Sequence, residues 1–349
     1  MELQEKIYCR LRDDVALMKP NERISPVREM MRKFKTSQYT IQLVMDRLVA
    51  AGLLFHKPGK GYFVRDRSER QTIRLLFLYP HFPSRLYSLF KDQLSRLAEQ
   101  TGLFSIHYRA LERNESYLVG VLSADYDGLI IVRCDYTISK SLLNELQNFP
   151  LPAVFLDCEL GDVEISTVSS DFYLGGLKAA AYLIDKGHRN LALLNTEPES
   201  ASMNMRCRGF IDFARNSHAS VEVIDGHVEL WNSSGDKLYT VMHDYLSRNK
   251  PAFTGLFLTS AQPALQLYKV MSEFNLRIPD DISVILHDHL PENAYLQPPA
   301  TSIQADIGEM VQQLVDGMLR VCRNECKFFT ARLEPHIIER ESVKELHEP

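Results

Sequence analysis

The chain of 349 residues holds six cysteines, and no two of them stand in a Cys-x-x-Cys pair. The thiols at positions 9, 134, 158, 207, 322 and 326 are spread too widely for a disulfide scaffold. Cys322 and Cys326 share an expected helix but have no nearby histidine or second cysteine pair to complete a zinc site. Reduced thiols are the expectation, with no metal and no other cofactor. No apolar run approaches the roughly 18 residues of a membrane span. The opening Met-Glu-Leu-Gln-Glu-Lys has no apolar signal core, so a cytoplasmic protein is expected. Enzyme signatures are scarce. There is no Gly-x-Ser-x-Gly elbow, no Gly-x-x-x-x-Gly-Lys-Ser/Thr loop and no His-Glu-x-x-His. Gly59-Lys-Gly61 is too short for a dinucleotide loop, and it precedes a strand. Asp157 and Glu159 flank a cysteine at a strand end, where carboxylates more often cap or bind water than form an acid–base pair.

What the chain does hold is distributed unevenly. Residues 1–70 carry 15 lysines and arginines against 9 acids, a net of +6, which leaves −11 for the rest of a chain whose total is −5. A small basic domain on a large acidic one suggests that only the first faces a polyanion. Residues 36–54 organise that basic part. Ile41, Val44, Met45, Leu48 and Val49 recur at helical spacing and predict one buried face. Thr36, Ser37, Gln38, Tyr39, Thr40 and Gln42 put uncharged hydrogen-bonding groups at the helix start, the chemistry that reads base edges. A plain amphipathic helix would share this pattern, but its flanks narrow the choice. Upstream, residues 3–18 predict an amphipathic helix with Leu3, Ile7, Leu11 and Val15 inward, and a short second helix is expected with Ser25 at its cap and Pro26 in its first turn. Downstream, residues 53–64 predict a hairpin with Pro58-Gly59-Lys60-Gly61 at its tip.

Helix, turn, helix and basic hairpin make a winged helix-turn-helix. Residues 1–65 resemble the GntR-type DNA-binding domain through Ser25-x-x-Arg28-Glu29, the Ser/Thr-rich recognition helix that starts at Thr36, Ala51-Gly-Leu-Leu54 and Gly59-x-Gly61-x-Phe63-Val64. The resemblance implies phosphate contacts from Arg28, Lys57 and Lys60, with Gly59 and Gly61 allowing the wing tip to approach DNA. A salt bridge from Arg28 to Glu29 or Asp46 is the rival role for that arginine. The sequence departs from the family where Gln38 and Gln42 replace the usual arginines. Glutamine favours adenine where arginine favours guanine, so a different operator is expected.

Residues 65–71 are charged and poorly hydrophobic, with 66–71 as the expected linker. Apolar strand-like runs at 73–79, 104–108, 127–132 and 153–156 then alternate with helical patterns at 86–100, 117–124 and 140–147. The alternation repeats from 167 to 286. This predicts an α/β architecture of two consecutive open lobes with parallel sheets, and a cleft between them at the carboxyl ends of the strands.

Residues 72–343 resemble the effector domain of the lactose/galactose (LacI/GalR-like) repressor family, itself similar to type I periplasmic sugar-binding proteins. The motifs are Tyr126-Asp-Gly-Leu-Ile-Ile131, Val168-Ser-Ser-Asp-Phe-Tyr-Leu-Gly-Gly176 and Tyr182-Leu-Ile-Asp-Lys-Gly-His-Arg-Asn-Leu-Ala192. They continue with Arg206-x-x-Gly-Phe210, Ile278-Pro-Asp-Asp-Ile-Ser-Val284, Pro299-Ala-Thr-Ser-Ile303 and Leu333-x-Pro-x-x-Ile-x-Arg340. The resemblance implies ligand contacts from Ser84, Arg85, Asp171, Phe172, Arg206, Trp231, Ser260 and Asp288. Such a set suits a sugar: carboxylates accept from paired hydroxyls, arginine donates as a fork, and an aromatic face covers C–H groups. Rival roles are helix capping for Asp171, packing for Trp231, and pairing of Arg206 with Glu197 or Glu199. Ala261 stands where the family commonly has aspartate, and histidines flank Asp288. With Arg85 and Arg206 nearby, an acidic ligand stays open.

These observations predict a winged helix-turn-helix domain at 1–65, a linker at 66–71, and a two-lobed effector and dimerisation domain at 72–349. The function implied is a ligand-responsive, DNA-binding transcription repressor of carbohydrate or related metabolism. Its expected partners are operator DNA, a small effector and a second copy of the chain. A binding receptor without DNA function, or an enzyme using the cleft, is the alternative.

Overall fold

The computed structural model describes residues 3–50, 53–65, 72–80, 84–111, 126–132, 146–147, 151–158, 160, 163–228 and 234–346. The N-terminal part is three helices, α1 (Leu3–Ala16), α2 (Val27–Phe34) and α3 (Gln38–Ala50), followed by the antiparallel pair β1 (Leu54–Lys57) and β2 (Gly61–Val64). The Ser37 hydroxyl caps α3, accepting from the Thr40 amide at 3.2 Å. Ile41, Val44, Met45 and Leu48 are fully buried against Ile7, Leu11, Val15 and Met30. Each such side chain stabilises the domain by about 1.5–3 kcal/mol. Val49 is half-buried at the margin of this cluster. Lys60 N donates to Lys57 O at 2.9 Å across the hairpin tip. Pro58 presets the first central position of that turn, and Gly59, at φ +73°, takes the left-handed second one.

Two expectations fail here. Leu3 is 54% exposed, because the apolar stripe of α1 begins only at Ile7. Ser25 does not cap α2. Pro26 occupies that position with φ −57° and ψ 145°, and no side chain caps the helix.

The larger part is two six-stranded sheets. The first lobe has the order β13-β7-β6-β5-β3-β4, built from β3 (Ile73–Pro80), β4 (Phe104–Leu111), β5 (Gly128–Val132), β6 (Ala153–Leu156), β7 (Ser166–Ser170) and β13 (Thr330–Leu333). The second has the order β14-β12-β11-β10-β8-β9, from β8 (Asn190–Asn195), β9 (Ser220–Asp225), β10 (Gly255–Leu258), β11 (Ser283–His287), β12 (Thr301–Gln304) and β14 (His336–Ile338). All pairings within the two sheets are parallel except β12 with β14. Helix α4 (Arg85–Thr101) covers the first sheet. Helices α5 (Phe172–Asp185), α6 (Ala201–Asn216), α7 (Ser234–Arg248) and α8 (Ala264–Glu273) flank the second.

The lobes are not consecutive in the chain. After β12 the backbone returns to the first lobe, where α9 (Ile307–Cys322) buries Met310, Val311, Leu314, Val315 and Met318 in that lobe's core. Strand β13 then pairs with β7 before β14 joins the second sheet. The chain therefore passes between lobes three times, near Asp171, Asp306 and Pro335. The physical reason is that the first sheet's apolar face outruns α4 and needs α9 to cover it. Because α9 ends at Cys322, Cys326 lies beyond the helix expected to hold it. The helices expected over 117–124 and most of 140–147, and the linker 66–71, lie outside the described residues.

Candidate functional sites: a basic winged helix and an interlobe cleft

The first turn of α3 leaves Gln38 exposed and Tyr39 72% exposed, beside the capping pair Ser37–Thr40. Thr36 is half-buried where the chain leaves α2. Gln42 differs from its expected use. Its amide nitrogen donates to Asp46 at 2.9 Å and to the Tyr62 hydroxyl at 2.5 Å, tying α3 to the wing. Arg28 is exposed on α2, and among the described residues it forms no ion pair with Glu29 or Asp46. Lys60 stands at the wing tip, while Lys57 leans over the Phe55 and Phe63 rings at 5.0 Å from each centroid. Arg23 was not legible as part of this surface. Its guanidinium lies against Gly61, where a Cβ would sit 3.4 Å from Nε, and only the fold brings residue 23 to the wing.

The second site lies where the strands of both lobes end. Asp171 closes β7 and caps α5, its Oδ1 accepting from the Leu174 amide at 2.9 Å. The next residue, Phe172, is buried, and the Arg206 guanidinium lies over its ring at 5.5 Å. Arg206 is itself 6% exposed. It donates to the Thr259 carbonyl and holds Nη2 3.9 Å from Asp288 Oδ1, and it does not pair with Glu197 or Glu199. Asp288 follows β11 in the left-handed region at φ +73°, which aims its carboxylate back at His287 and Arg206. His287 Nδ1–H donates to that carboxylate at 2.9 Å. Burial, reinforced by Arg206, pushes the His287 pKa down to about 4, so the ring is neutral. Burial alone would raise the Asp288 carboxyl, but Arg206 and the His287 bond outweigh it and hold the group below the usual carboxylate range. Ser260, at the end of β10, is almost fully buried.

Four atoms around this junction are buried without a hydrogen-bond partner: Ser170 Oγ, Thr196 Oγ1, Arg206 Nε and His287 Nε2. They end β7 and β8, sit on α6, and end β11. Orphaned polar groups are uncommon in folded proteins and mark places where a polar ligand or water is needed. Sequence reasoning missed Ser170 and Thr196, since a short polar residue at a strand end carries no signal until strand ends converge, and it noted His287 only as a neighbour of Asp288.

Other expected contacts are placed differently. Ser84 caps α4, accepting from the Tyr87 amide. Arg85, expected to meet ligand, crosses between lobes instead: its Nε lies 3.1 and 3.3 Å from the Glu292 carboxylate oxygens, and its amide donates to Gln262 Oε1 at 3.4 Å. Trp231 lies outside the described residues. Ala261 is buried where the family has its acid. Among the described residues no cluster of His, Cys, Asp and Glu is arranged to hold a metal ion, and no helix is long and apolar enough to cross a membrane.

Residues 3–64 match the model of bacterial regulatory proteins of the gntR family, and residues 180–343 match a periplasmic binding protein-like domain. The chain joins a gntR-family regulatory domain to a periplasmic binding protein-like domain. It is a transcription regulator in two parts. The regulator is 26% identical over 329 residues to an arabinose metabolism transcriptional repressor of Halalkalibacterium halodurans, covering 88% of this chain and 85% of that protein. It is also 26% identical over 240 residues to the HTH-type transcriptional repressor PurR of Histophilus somni, covering 67% of this chain and 70% of the relative. Among solved structures, a LacI family transcriptional regulator from Enterococcus faecium with bound ribose matches 78% of the regulator and 100% of that chain, with a TM-score of 0.67 and 22% identity. A lac repressor dimer bound to operator and the anti-inducer ONPF matches 79% of the regulator and 96% of that chain, with a TM-score of 0.67 and 21% identity. These structural matches bear on the fold.

Proposed function

We propose that the regulator is a repressor whose operator affinity is set by a neutral sugar bound between the lobes, in residues 72–349, with residues 1–65 holding the DNA and 66–71 joining the two. The observation that carries this reading is the Arg206–Asp288–His287 group, surrounded by orphaned polar atoms at the strand ends of both lobes, in the same chain as a basic winged helix. A free sugar fits better than a sugar acid. Arg85 is engaged by Glu292, and Arg206 is balanced by Asp288, so a ligand carboxylate would meet Asp288 with no spare cation. Asp288 can instead accept from two ligand hydroxyls while Phe172 supports the Arg206 plane. The arabinose repressor and the ribose-bound structure make pentoses the first candidates.

The regulator does no catalysis in this reading and works in the cytoplasm, where its DNA is. It acts as a homodimer, because paired half-sites need paired readers. Leu265 and Tyr295, 67% and 83% exposed on the second lobe, are apolar groups a second copy would cover. Titrating the protein with labelled operator at several salt concentrations, with and without L-arabinose or D-ribose, tests the proposal. DNA affinity should fall steeply with salt, Lys60→Ala should weaken all sequences alike, and Gln38→Ala should change sequence preference. A 72–349 fragment that binds operator as tightly as the full chain sinks the assignment.

A further inference from the structure

The wing is fastened to its domain at the base. Leu54 and Val64 pair across β1 and β2 and are buried among the helices. The segment before α2 lies along β2 as a third edge: Asn21 N donates to Val64 O at 2.9 Å, Val64 N to Glu22 O at 2.9 Å, and Ile24 N to Tyr62 O at 3.1 Å. Two residues nearer the tip, Tyr62 and His56 pair with ring centroids 4.7 Å apart. Side chains alternate along a strand, so Tyr62 shares the face of Val64. Its hydroxyl accepts from Gln42 Nε2 of α3 at 2.5 Å, and the same nitrogen donates to Asp46 Oδ1 at 2.9 Å.

A donor count limits what Gln42 can do. A primary amide has two N–H groups and one acceptor oxygen. The Asp46 carboxylate only accepts, so the nitrogen end must face it, and the second N–H goes to Tyr62. A glutamine that reads adenine donates to the base and accepts from it together. Both donors of Gln42 are already committed within the protein. Gln38, one turn earlier, is exposed, and among the described residues its amide has no partner. The bond from Gln42 to Asp46 alone would be ordinary support along one helix. The bond to Tyr62, 20 positions away, is what reaches the wing.

We infer that Gln42 positions the wing and does not read a base. Through Tyr62 it sets the tilt of β1 and β2, and so the place where Lys57 and Lys60 meet backbone phosphates. Base selection by α3 then falls to Gln38 and Tyr39 in the exposed first turn. The inference rests on the proposed function and divides its DNA site into a reading part and a positioning part.

The test uses the full-length protein and the tightest duplex that the parent chain enriches from a random-sequence pool, with all single-base variants of that duplex. Affinities are measured over a series of KCl concentrations for the parent, Gln42→Ala, Tyr62→Phe, their double variant and Gln38→Ala. Gln42→Ala and Tyr62→Phe should each weaken every duplex by a common factor of about ten, the worth of one hydrogen bond. Both should leave the base preferences unchanged and make the salt dependence shallower by about one phosphate contact. The double variant should lose no more than either single, since both remove the same bond. Gln38→Ala should reorder the base preferences. Simple loss of folded protein would lower the active fraction without changing the salt slope. The inference falls if Gln42→Ala alters the preference at a base pair, if its affinity and salt slope match the parent's, or if the two single losses add. A parent chain that enriches no duplex would overturn the proposed function itself, and this inference with it.

Discussion

His287 illustrates what one residue contributes at the cleft. A neutral imidazole can donate through Nδ1 and accept through Nε2, and here the donor is committed to Asp288 while the acceptor has no partner in the protein. The arrangement depends on pH. Folded His287 titrates at about 4, whereas a free histidine titrates near ~6.5. Between those values the unfolded chain binds the extra proton, so stability is complete above pH ~6.5 and is lost as pH falls toward 4. The loss attributable to His287 is of order 3 kcal/mol. His188 and His289 are shifted down by burial as well and add to the same slope. Urea unfolding from pH 8 to pH 4.5 should show the decline, and His287→Asn should remove most of it. An unchanged profile in that variant would place the titration elsewhere. Arg206 and Asp171 were legible in the sequence because each sits in a motif, and Asp288 was assigned through the family resemblance alone. The bond from Arg85 to Glu292, 207 positions apart, was not, because nothing local ties the two.

At the scale of elements, helical and strand periodicity located most of the described elements up to residue 286, including the buried face of α3, but it named no strand at β12, β13 or β14 and gave α9 no bounds. What it could not place was the destination of α9. An amphipathic helix announces that one face is buried, not which sheet buries it, and the return to the first lobe follows from that lobe's uncovered surface. The pairing of α5 with α6 was equally hidden. A Cβ on Gly176 would collide with the Arg206 carbonyl oxygen, and one on Gly209 with the Tyr173 carbonyl oxygen. The two glycines thus let the helix backbones touch, and that contact sets where Arg206 stands relative to Phe172. Gly176→Ala or Gly209→Ala should force the helices apart and destabilise the protein by about 1–3 kcal/mol or more. Each should also weaken sugar binding, because Arg206 rides on the displaced helix. Chemical denaturation together with sugar titration checks both effects, and wild-type values in both would refute the contact.

For the whole molecule, the question is how a ligand in one part reaches DNA held by another. The two lobes are joined by three crossings, and a ligand gripping both favours their closed arrangement. The Arg85–Glu292 pair already bridges the lobes, but both side chains are more than 40% exposed, so it contributes only about 0–1 kcal/mol. A bridge this weak cannot lock the domain, and the ligand's differential affinity decides the population. Under the proposed function, the charged sequence at 66–71 offers no apolar face for a minor-groove helix, so the expected route for the signal is a change in spacing or orientation of two winged domains. Half-sites sit about one helical turn apart, and closure would misalign their readers. Because coupling between two binding equilibria is reciprocal, operator must weaken sugar binding by the factor by which sugar weakens operator binding, typically ~5- to 150-fold. Arg206→Ala should abolish the sugar effect while leaving the DNA affinity of the free protein intact, and Glu292→Gln should change both affinities by less than about fivefold. The decisive measurement is sugar affinity in the presence and absence of saturating operator. Equal affinities would mean that the tested sugar is not the effector or that the cleft does not govern DNA binding, and a sugar that tightens operator binding would make it a co-repressor working through the same hinge.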